Sequence, residues 1–313
     1  MATLNSHAKD LARFWKGKIL WDSPMAQFST LKVGGPAEAV ISAQNTADLK
    51  RLVHWLKENN IDWWVVGRGS NILVPDNGLA GVIILLEGDF RSIEKITASA
   101  PPVHDEKILV RAGGGCLLTK LVAFCTSQGL AGLEFGIGIP GSIGGAVVMN
   151  AGAWGCEIGS LVDSVILMDS NGSIFSAPGK SLGFTYRKWS MPQNTILLSA
   201  SFALTRGNKE DIKAACREYQ NLRHKNQPLA EPSVGSFFKN PPDDSAGRLI
   251  EEAGLKGFSI GGAKISEKHA NFIINTGEAS ATDIFNLMHI IQQEVQKRFG
   301  IKLEPEVHIL GGN

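Results

Sequence analysis

Residues Glu134–Ala153 read Glu-Phe-Gly-Ile-Gly-Ile-Pro-Gly-Ser-Ile-Gly-Gly-Ala-Val-Val-Met-Asn-Ala-Gly-Ala, with six glycines and a proline in twenty positions. Pro140 interrupts any regular element, and Gly144-Gly145 argue against a helix start. Glycine permits positive φ and lets backbone come close to a ligand. Successive free N–H groups in such loops form concave nests that hold anions without many Lys or Arg. A shorter loop of the same kind, Gly67-Arg68-Gly69-Ser70-Asn71, follows the strand-like Asp62–Val66. Each loop carries a hydroxyl and an amide side chain. Tight-turn packing also uses glycine, but two such loops on a nearly neutral chain favour a phosphate-bearing cofactor. The excess is chain-wide: 35 of 313 residues are glycine, roughly 11% against about 7% in average proteins.

The remaining composition excludes several classes. Lys and Arg number 31 and Asp and Glu 30, a formal charge of +1, and only 19% of residues are charged. Such a chain is neither a disordered tail nor a protein that grips nucleic-acid backbones with clustered cations. Cys116, Cys125, Cys156 and Cys216 form no Cys-x-x-Cys, so reduced thiols are expected. The seven histidines show no metal spacing, and His7, His54 and His104 read as surface or packing residues; no metal is expected. Met1–Trp21 has no signal-peptide pattern, and Trp63–Val66 and Val82–Leu86 fall far short of the ~20 apolar residues that span a bilayer. A cytoplasmic protein without membrane insertion or a nucleic-acid partner is expected. Its oligomeric state is open, and a monomer is compatible with the sequence.

Periodicity divides the chain into three segments. Residues 1–86, with an N-terminal extension of about twenty residues, hold strands at Val40–Gln44, Asp62–Val66 and Val82–Leu86 and a helix capped by Asn45 or Thr46. Residues 87–205 are mostly β: Lys107–Arg111, Ser164–Met168, Ser173–Ser176 across an Asn171-Gly172 turn, and Thr195–Leu204, with a helix near Leu117–Cys125. Residues 206–313 are richer in helix, at Asp211–Leu222, Ser245–Ala253 and behind the capping box Ser280-Ala281-Thr282-Asp283, and close with a strand over Ile301–Leu310 that Pro305 interrupts.

Two literal motif matches fail on context. Gly136-x-Gly138-x-x-Gly141 lacks the strand before and helix after that a dinucleotide fingerprint needs. Gly257-Phe258-Ser259-Ile260-Gly261 lacks the strand-turn-helix of a nucleophile elbow. Gly235-Ser236-Phe237-Phe238-Lys239-Asn240-Pro241 instead places a hydroxyl, an ammonium and an amide within five residues.

These segments, taken in order with Ser29–Ala37, Met149–Ala153, Tyr186-Arg187, His269-Ala270-Asn271-Phe272 and Leu303–Val307, resemble the UDP-N-acetylenolpyruvoylglucosamine reductases, flavoenzymes of peptidoglycan precursor synthesis. The resemblance spans about residues 20 to 310. It implies an α+β fold: a two-subdomain FAD-binding fold of the vanillyl-alcohol-oxidase type, followed by a C-terminal α+β substrate-binding domain. It implies non-covalent FAD, NADPH as co-substrate and a UDP-sugar substrate. By the family's motifs Ser236 donates a proton, with Arg187 and Glu306 assisting. Gly67, Gly69, Ser70, Asn71, Ile72, Gly113, Pro140, Gly141, Ser142, Gly144, Gly145, Asn150, Ala151 and Gly152 are expected at the cofactor, and Tyr186, Lys239, Asn240, His269 and Asn271 at the substrate. The chain departs from the family at Lys188-Trp189, which delay a serine to Ser190, and at Trp154, where tyrosine is common. It resembles the short form, which lacks a tyrosine-bearing loop. An oxidase on the same scaffold or a nucleotide-binding module are the alternatives, and Cys116 is the thiol to check for covalent flavin.

Overall fold

The computed structural model describes residues 4–96 and 107–311; His104 lies outside them. In chain order the elements are α1 (Ala8–Phe14), β1 (Ile19–Pro24), β2 (Pro36–Ala43), α2 (Thr46–Glu58), β3 (Trp63–Val65), β4 (Ile72–Leu73), β5 (Leu79–Leu86), β6 (Ile93–Ile96), β7 (Ile108–Gly113), α3 (Leu118–Gln128) and β8 (Leu130–Ala131). There follow α4 (Ile143–Val148), β9 (Gly152–Ala153), β10 (Cys156–Glu157), β11 (Val162–Met168), β12 (Ile174–Pro178), β13 (Ile196–Arg206) and α5 (Lys209–Asn226). The chain ends with α6 (Ala246–Glu252), β14 (Ser259–Ile260), β15 (Ala263–Ile265), β16 (Ile273–Asn275), α7 (Ala281–Phe299) and β17 (His308–Ile309).

The chain gathers into two compact units. One comprises Met1–Ile19, Ile41–Gly67 and Ile83–Asn221; the other comprises Leu20–Val40, Arg68–Val82 and Leu222–Asn313. Strands β1-β2-β5-β3 form a four-stranded sheet in that order.

In the first unit, β12-β11-β13-β7-β6 form an antiparallel sheet, with β8 also on β13. Alternate residues of β7 and β13, among them Val110, Ala200 and Phe202, are buried with Leu118, Leu121 and Val122 of α3. Helix α2 follows its sequence signals: the Asn45 side-chain oxygen Oδ1 accepts the Asp48 N–H at 2.9 Å, and Leu49, Leu52, Val53 and Leu56 are buried. Helix α3 stops at Gly129, whose φ of 67° is left-handed.

Three local expectations are corrected. Gly144-Gly145 do open a helix, α4, because the Ser142 hydroxyl accepts the Gly145 N–H at 3.2 Å and the Gly144 N–H donates to the Gly114 carbonyl at 2.8 Å. The cap and the tertiary bond offset glycine's poor propensity. The Asn171-Gly172 connection is longer than a two-residue turn, since Met168 pairs with Ile174 and Asp169 Oδ1 accepts the N–H groups of Asn171 and Ser173, both at 2.8 Å. The closing strand is reduced to β17 and a bridge between Phe238 and Pro305, because proline cannot donate to a ladder.

The second unit buries Leu31, Phe237, Phe238, Leu249, Ile250, Ile265, Ile284, Leu287 and Ile291 in a core of its own. Helix α7 starts on the capping box of Ser280 and Asp283 and ends at Gly300 with φ 71°. Strand β17 runs parallel to β4, with His308 opposite Ile72. Among the described residues no helix is long and apolar enough to cross a membrane, and no group of three or more His, Cys, Asp or Glu could hold a metal.

Candidate active site

In the first unit the two glycine loops meet. A Cβ on Gly67 would lie 2.2 Å from Ser142 Oγ. Residues 113–116 mesh with the start of α4: Ile143 N–H donates to Cys116 O at 2.8 Å and Leu118 N–H to Gly141 O at 3.0 Å. Gly113 is a packing glycine, because its Cβ position falls 2.1 Å from the Phe90 carbonyl; Gly114 and Gly115 face the Leu197 and Leu86 carbonyls in the same way, at 2.2 and 2.0 Å.

The N–H groups of Ile143, Gly144 and Gly145 are therefore engaged within the chain. Gly145 nevertheless presents an open face, its nearest neighbour being Ser142 Oγ at 3.6 Å from a Cβ position, and Pro140 is exposed. Gly67 is exposed, and its N–H has no partner among the described residues. These surfaces fit a flavin nucleotide: Gly67 and Gly145 offer bare backbone, and Gly67 offers an unspent donor for an anion.

Asn150 is buried, with φ 42°, and both of its amide donors are used within the chain. Nδ2 donates to Glu157 Oε2 at 2.8 Å and to the Thr185 carbonyl at 2.9 Å, and Oδ1 accepts the Gly159 N–H at 2.8 Å. Thr185 opens a tight turn closed by Lys188, with Tyr186 and Arg187 at its tip. Arg187 takes φ 54°, an uncommon conformation for a residue with a side chain. Its guanidinium carbon lies 5.0 Å from the Tyr186 ring centroid. A Cβ on Gly152 would lie 2.9 Å from Arg187 Nη1 and 3.0 Å from Glu157 Cγ. Ala151 accepts the Ile158 N–H. Trp154, at the tip of the β9–β10 hairpin, stacks on Tyr219 with centroids 6.3 Å apart.

In the second unit Arg68 and Gly69 continue the loop with N–H groups that have no partner among the described residues. Gly69 takes φ +63°, and a Cβ there would fall 1.8 Å from the Phe28 carbonyl; Ser70 is half-buried beside it. Asn71 Nδ2 donates to the Glu306 carbonyl at 3.1 Å, and Asn71 O accepts the His308 N–H at 3.0 Å, next to Ile72. Across the Phe238–Pro305 bridge, Glu306 N–H donates to Phe237 O at 2.8 Å and Lys239 N–H to Glu304 O at 2.9 Å. Phe237, Lys239, Glu306 and Asn71 are thus bonded into one cluster, with Ser236 next to Phe237 in the chain.

The other face of this segment is clamped by Asn271, which accepts Phe238 N–H at 2.9 Å and donates to Phe238 O at 2.8 Å. The Ser236 hydroxyl is half-buried and has no hydrogen-bond partner among the described residues. Lys239 Nζ lies 2.5 Å from Glu304 Oε1. Asn240 Oδ1 accepts the Ala246 N–H at 3.0 Å. His269 Nδ1 accepts the Asn271 N–H at 3.2 Å, and its ring packs on Phe272.

Burial pushes the His269 imidazole below its ordinary 6.5, consistent with a lone pair that is used as an acceptor. Asn271 and Asn150 act as internal clamps, their amides bonded within the chain. Burial also raises the thiols of Cys116 and Cys125, the latter to about 12, so neither is a reactive thiolate. Sequence reasoning missed Glu157, Thr185 and Glu304. Glu304 stood inside a motif already singled out, but only the strand pairing shows its tie to Lys239.

Comparisons with known proteins agree with this geometry. Residues 37–177 match a model described as FAD binding domain, and residues 227–310 match UDP-N-acetylenolpyruvoylglucosamine reductase, C-terminal domain. UDP-N-acetylenolpyruvoylglucosamine reductase 1 of Bacillus thuringiensis subsp. konkukian is 41% identical over 297 residues, covering 94% of this chain and 95% of the relative. The chain belongs to the UDP-N-acetylenolpyruvoylglucosamine reductase family. A family member from Halalkalibacterium halodurans is likewise 41% identical over 94% of this chain and 95% of its own length. The crystal structure of the Thermus caldophilus reductase superposes with a TM-score of 0.77 at 34% identity, covering 93% of this chain and 98% of that one. The α+β architecture, an FAD-binding domain followed by the reductase family's C-terminal domain, is the one expected from sequence.

Proposed function

We propose that the chain is an NADPH-dependent flavoenzyme that reduces the enolpyruvyl ether of UDP-N-acetylglucosamine enolpyruvate to UDP-N-acetylmuramate, a step of peptidoglycan precursor synthesis. The observation that supports this most is the cluster in which Asn71 bonds the Glu306 backbone while Glu306 pairs with Phe237, beside an unspent Ser236 hydroxyl. It joins a loop of the cofactor type to the two residues that would handle the proton.

FAD, held through the bare backbone of Gly67 and Gly145, would supply the hydride chemistry, accepting from NADPH and delivering to the enolpyruvyl methylene carbon. Hydride addition there converts the methylene to a methyl group and leaves negative charge on the adjacent carbon and its carboxylate. Arg187 binds that carboxylate and stabilises the charge as it grows, a task suited to a planar guanidinium. Ser236 gives its proton to the carbon. A hydroxyl is a weak acid, but a carbanion-like centre is basic enough to take its proton when the two are in line. Glu306 tunes that charge or orients the donor, and Tyr186, Lys239 and Asn240 contact the substrate.

The test is direct. The purified protein should show a flavin spectrum, and NADPH oxidation should depend on the enolpyruvyl sugar nucleotide. A protein that cannot be reconstituted with FAD contradicts the reading. Flavin turnover supported by oxygen but not by the sugar nucleotide would instead favour an oxidase.

A further inference from the structure

We infer that Asn150 is a positioning residue for Arg187, and that its buried amide fixes the turn carrying the guanidinium rather than touching the cofactor. The inference rests on the reading of Arg187 as the carboxylate-binding group. Three observations carry it. First, the buried amide has spent both of its donors: Nδ2 is shared between the Glu157 carboxylate and the Thr185 carbonyl, and Oδ1 accepts the Gly159 N–H.

Second, the turn is fastened at both ends to the chain leaving α4. Thr185 O is held by Asn150, and Trp189 N–H donates to Val148 O at 3.0 Å. Within the turn, Thr185 and Lys188 exchange both backbone bonds, at 2.9 and 3.1 Å. Third, Arg187 and Asn150 both sit at positive φ, 54° and 42°. Asparagine tolerates this region, but for an arginine it is uncommon, so the turn needs the bonds that hold it.

Glu157 extends the device. Its Oε2 accepts from Asn150, and its Cγ shares with Arg187 Nη1 the space over Gly152. The amide thus holds the turn's first carbonyl and the carboxylate that flanks the guanidinium's resting place. The segment that starts as the Ser142-capped glycine loop ends as the mount for Arg187, so the end of one motif sets the position of the other.

The test uses the FAD-loaded full chain with Asn150→Asp, which keeps the acceptor for Gly159 but removes both donors and sets a carboxylate against Glu157. FAD affinity, read by flavin fluorescence, and flavin bleaching by NADPH should stay within about twofold of wild type. Recovery of the flavin absorbance on adding the enolpyruvyl sugar nucleotide anaerobically should slow on the order of 10- to 100-fold, the scale of an ångström misplacement. The recovery rate of this variant should rise as pH is lowered, because the introduced carboxyl regains one donor once it is protonated. In an Arg187→Ala background Asn150→Asp should add less than about threefold, since it acts through the missing group.

Loss of FAD affinity, equal slowing of both half-reactions, or effects that multiply with Arg187→Ala overturn the positioning role. If Arg187→Ala by itself recovers at the wild-type rate, the functional reading of Arg187 falls and takes the inference with it. Should Asn150→Asp not fold, Glu157→Gln is measured the same way: slowing confined to the sugar-nucleotide step supports the inference, and wild-type behaviour or slowing of both steps overturns it.

Discussion

His269 illustrates how a side chain assigned to a ligand can be committed to its own fold. It accepts the Asn271 N–H through Nδ1, which requires the neutral imidazole, and burial holds it below its ordinary 6.5. As pH falls through 6.5, the unfolded chain therefore takes up this proton before the folded one does, and stability drops until the lower folded value is passed. The urea midpoint should fall between pH 7.5 and 5.5, and His269→Gln should flatten that fall; an unchanged slope would show His269 to be ordinary. Sequence reading assigned the chemistry to Ser236, Arg187 and Glu306 only through the family resemblance, since Tyr186-Arg187 and Glu304-Pro305-Glu306 say little on their own. It could not tell a contact from a clamp, since Asn150 and Asn271 are amides like any other until their partners, Thr185 and Phe238 among them, are known. Gly113 shows the same limit: a glycine that faces the Phe90 carbonyl reads in sequence just like one that faces a ligand.

Among the elements, those with local signals were legible. Helices α2 and α7 announce themselves through Asn45 and the Ser280–Asp283 box, and Gly129 and Gly300 stop their helices at left-handed φ. The start of α7 also holds a partner invisible in sequence. Asp76 Oδ1 and Oδ2 accept the N–H groups of Ala281 and Thr282, each at 2.8 Å, and Oδ2 accepts the Thr282 hydroxyl at 2.7 Å. Burial would raise the Asp76 carboxyl, but these bonds outweigh it and hold it below its ordinary 3.8. Its contribution is therefore present above pH 3.8 and is lost as pH falls through the lower folded value. Asp76→Ala should cost about 1 kcal/mol at neutral pH and low salt, the usual worth of a cap. The gap to wild type in denaturant midpoint should narrow in acid; a gap that persists there would assign the loss to packing. Helix α4 was misread because propensity alone opposed it, while its cap and the Gly114 carbonyl lie in tertiary structure. Pro305 was legible as a break in the Ile301–Leu310 strand, but only the pairing shows that a bridge and a two-residue strand are what is left.

For the whole molecule, the sequence located three segments by texture, whereas packing draws residues 20–40 and 68–82 together with 222–313. Contacts of such long sequence separation leave no periodic trace. Thr30 Oγ1 donating to Ser233 O at 2.6 Å and Asn275 Nδ2 donating to Leu31 O at 3.0 Å are examples. The near-neutral charge is consistent with the proposed chemistry: bare backbone at glycine offers the anionic cofactor its donors, leaving Arg187, Lys239 and Ser236 for the substrate. The measurement that bears most directly on this account is an anaerobic comparison of the two half-reactions in wild type and Ser236→Ala. The account predicts that NADPH bleaches the flavin of Ser236→Ala at close to the wild-type rate, while recovery of the absorbance on adding the enolpyruvyl sugar nucleotide falls by at least about 100-fold, the scale of a lost general acid. Equal loss in both halves, or an unimpaired recovery, would contradict it.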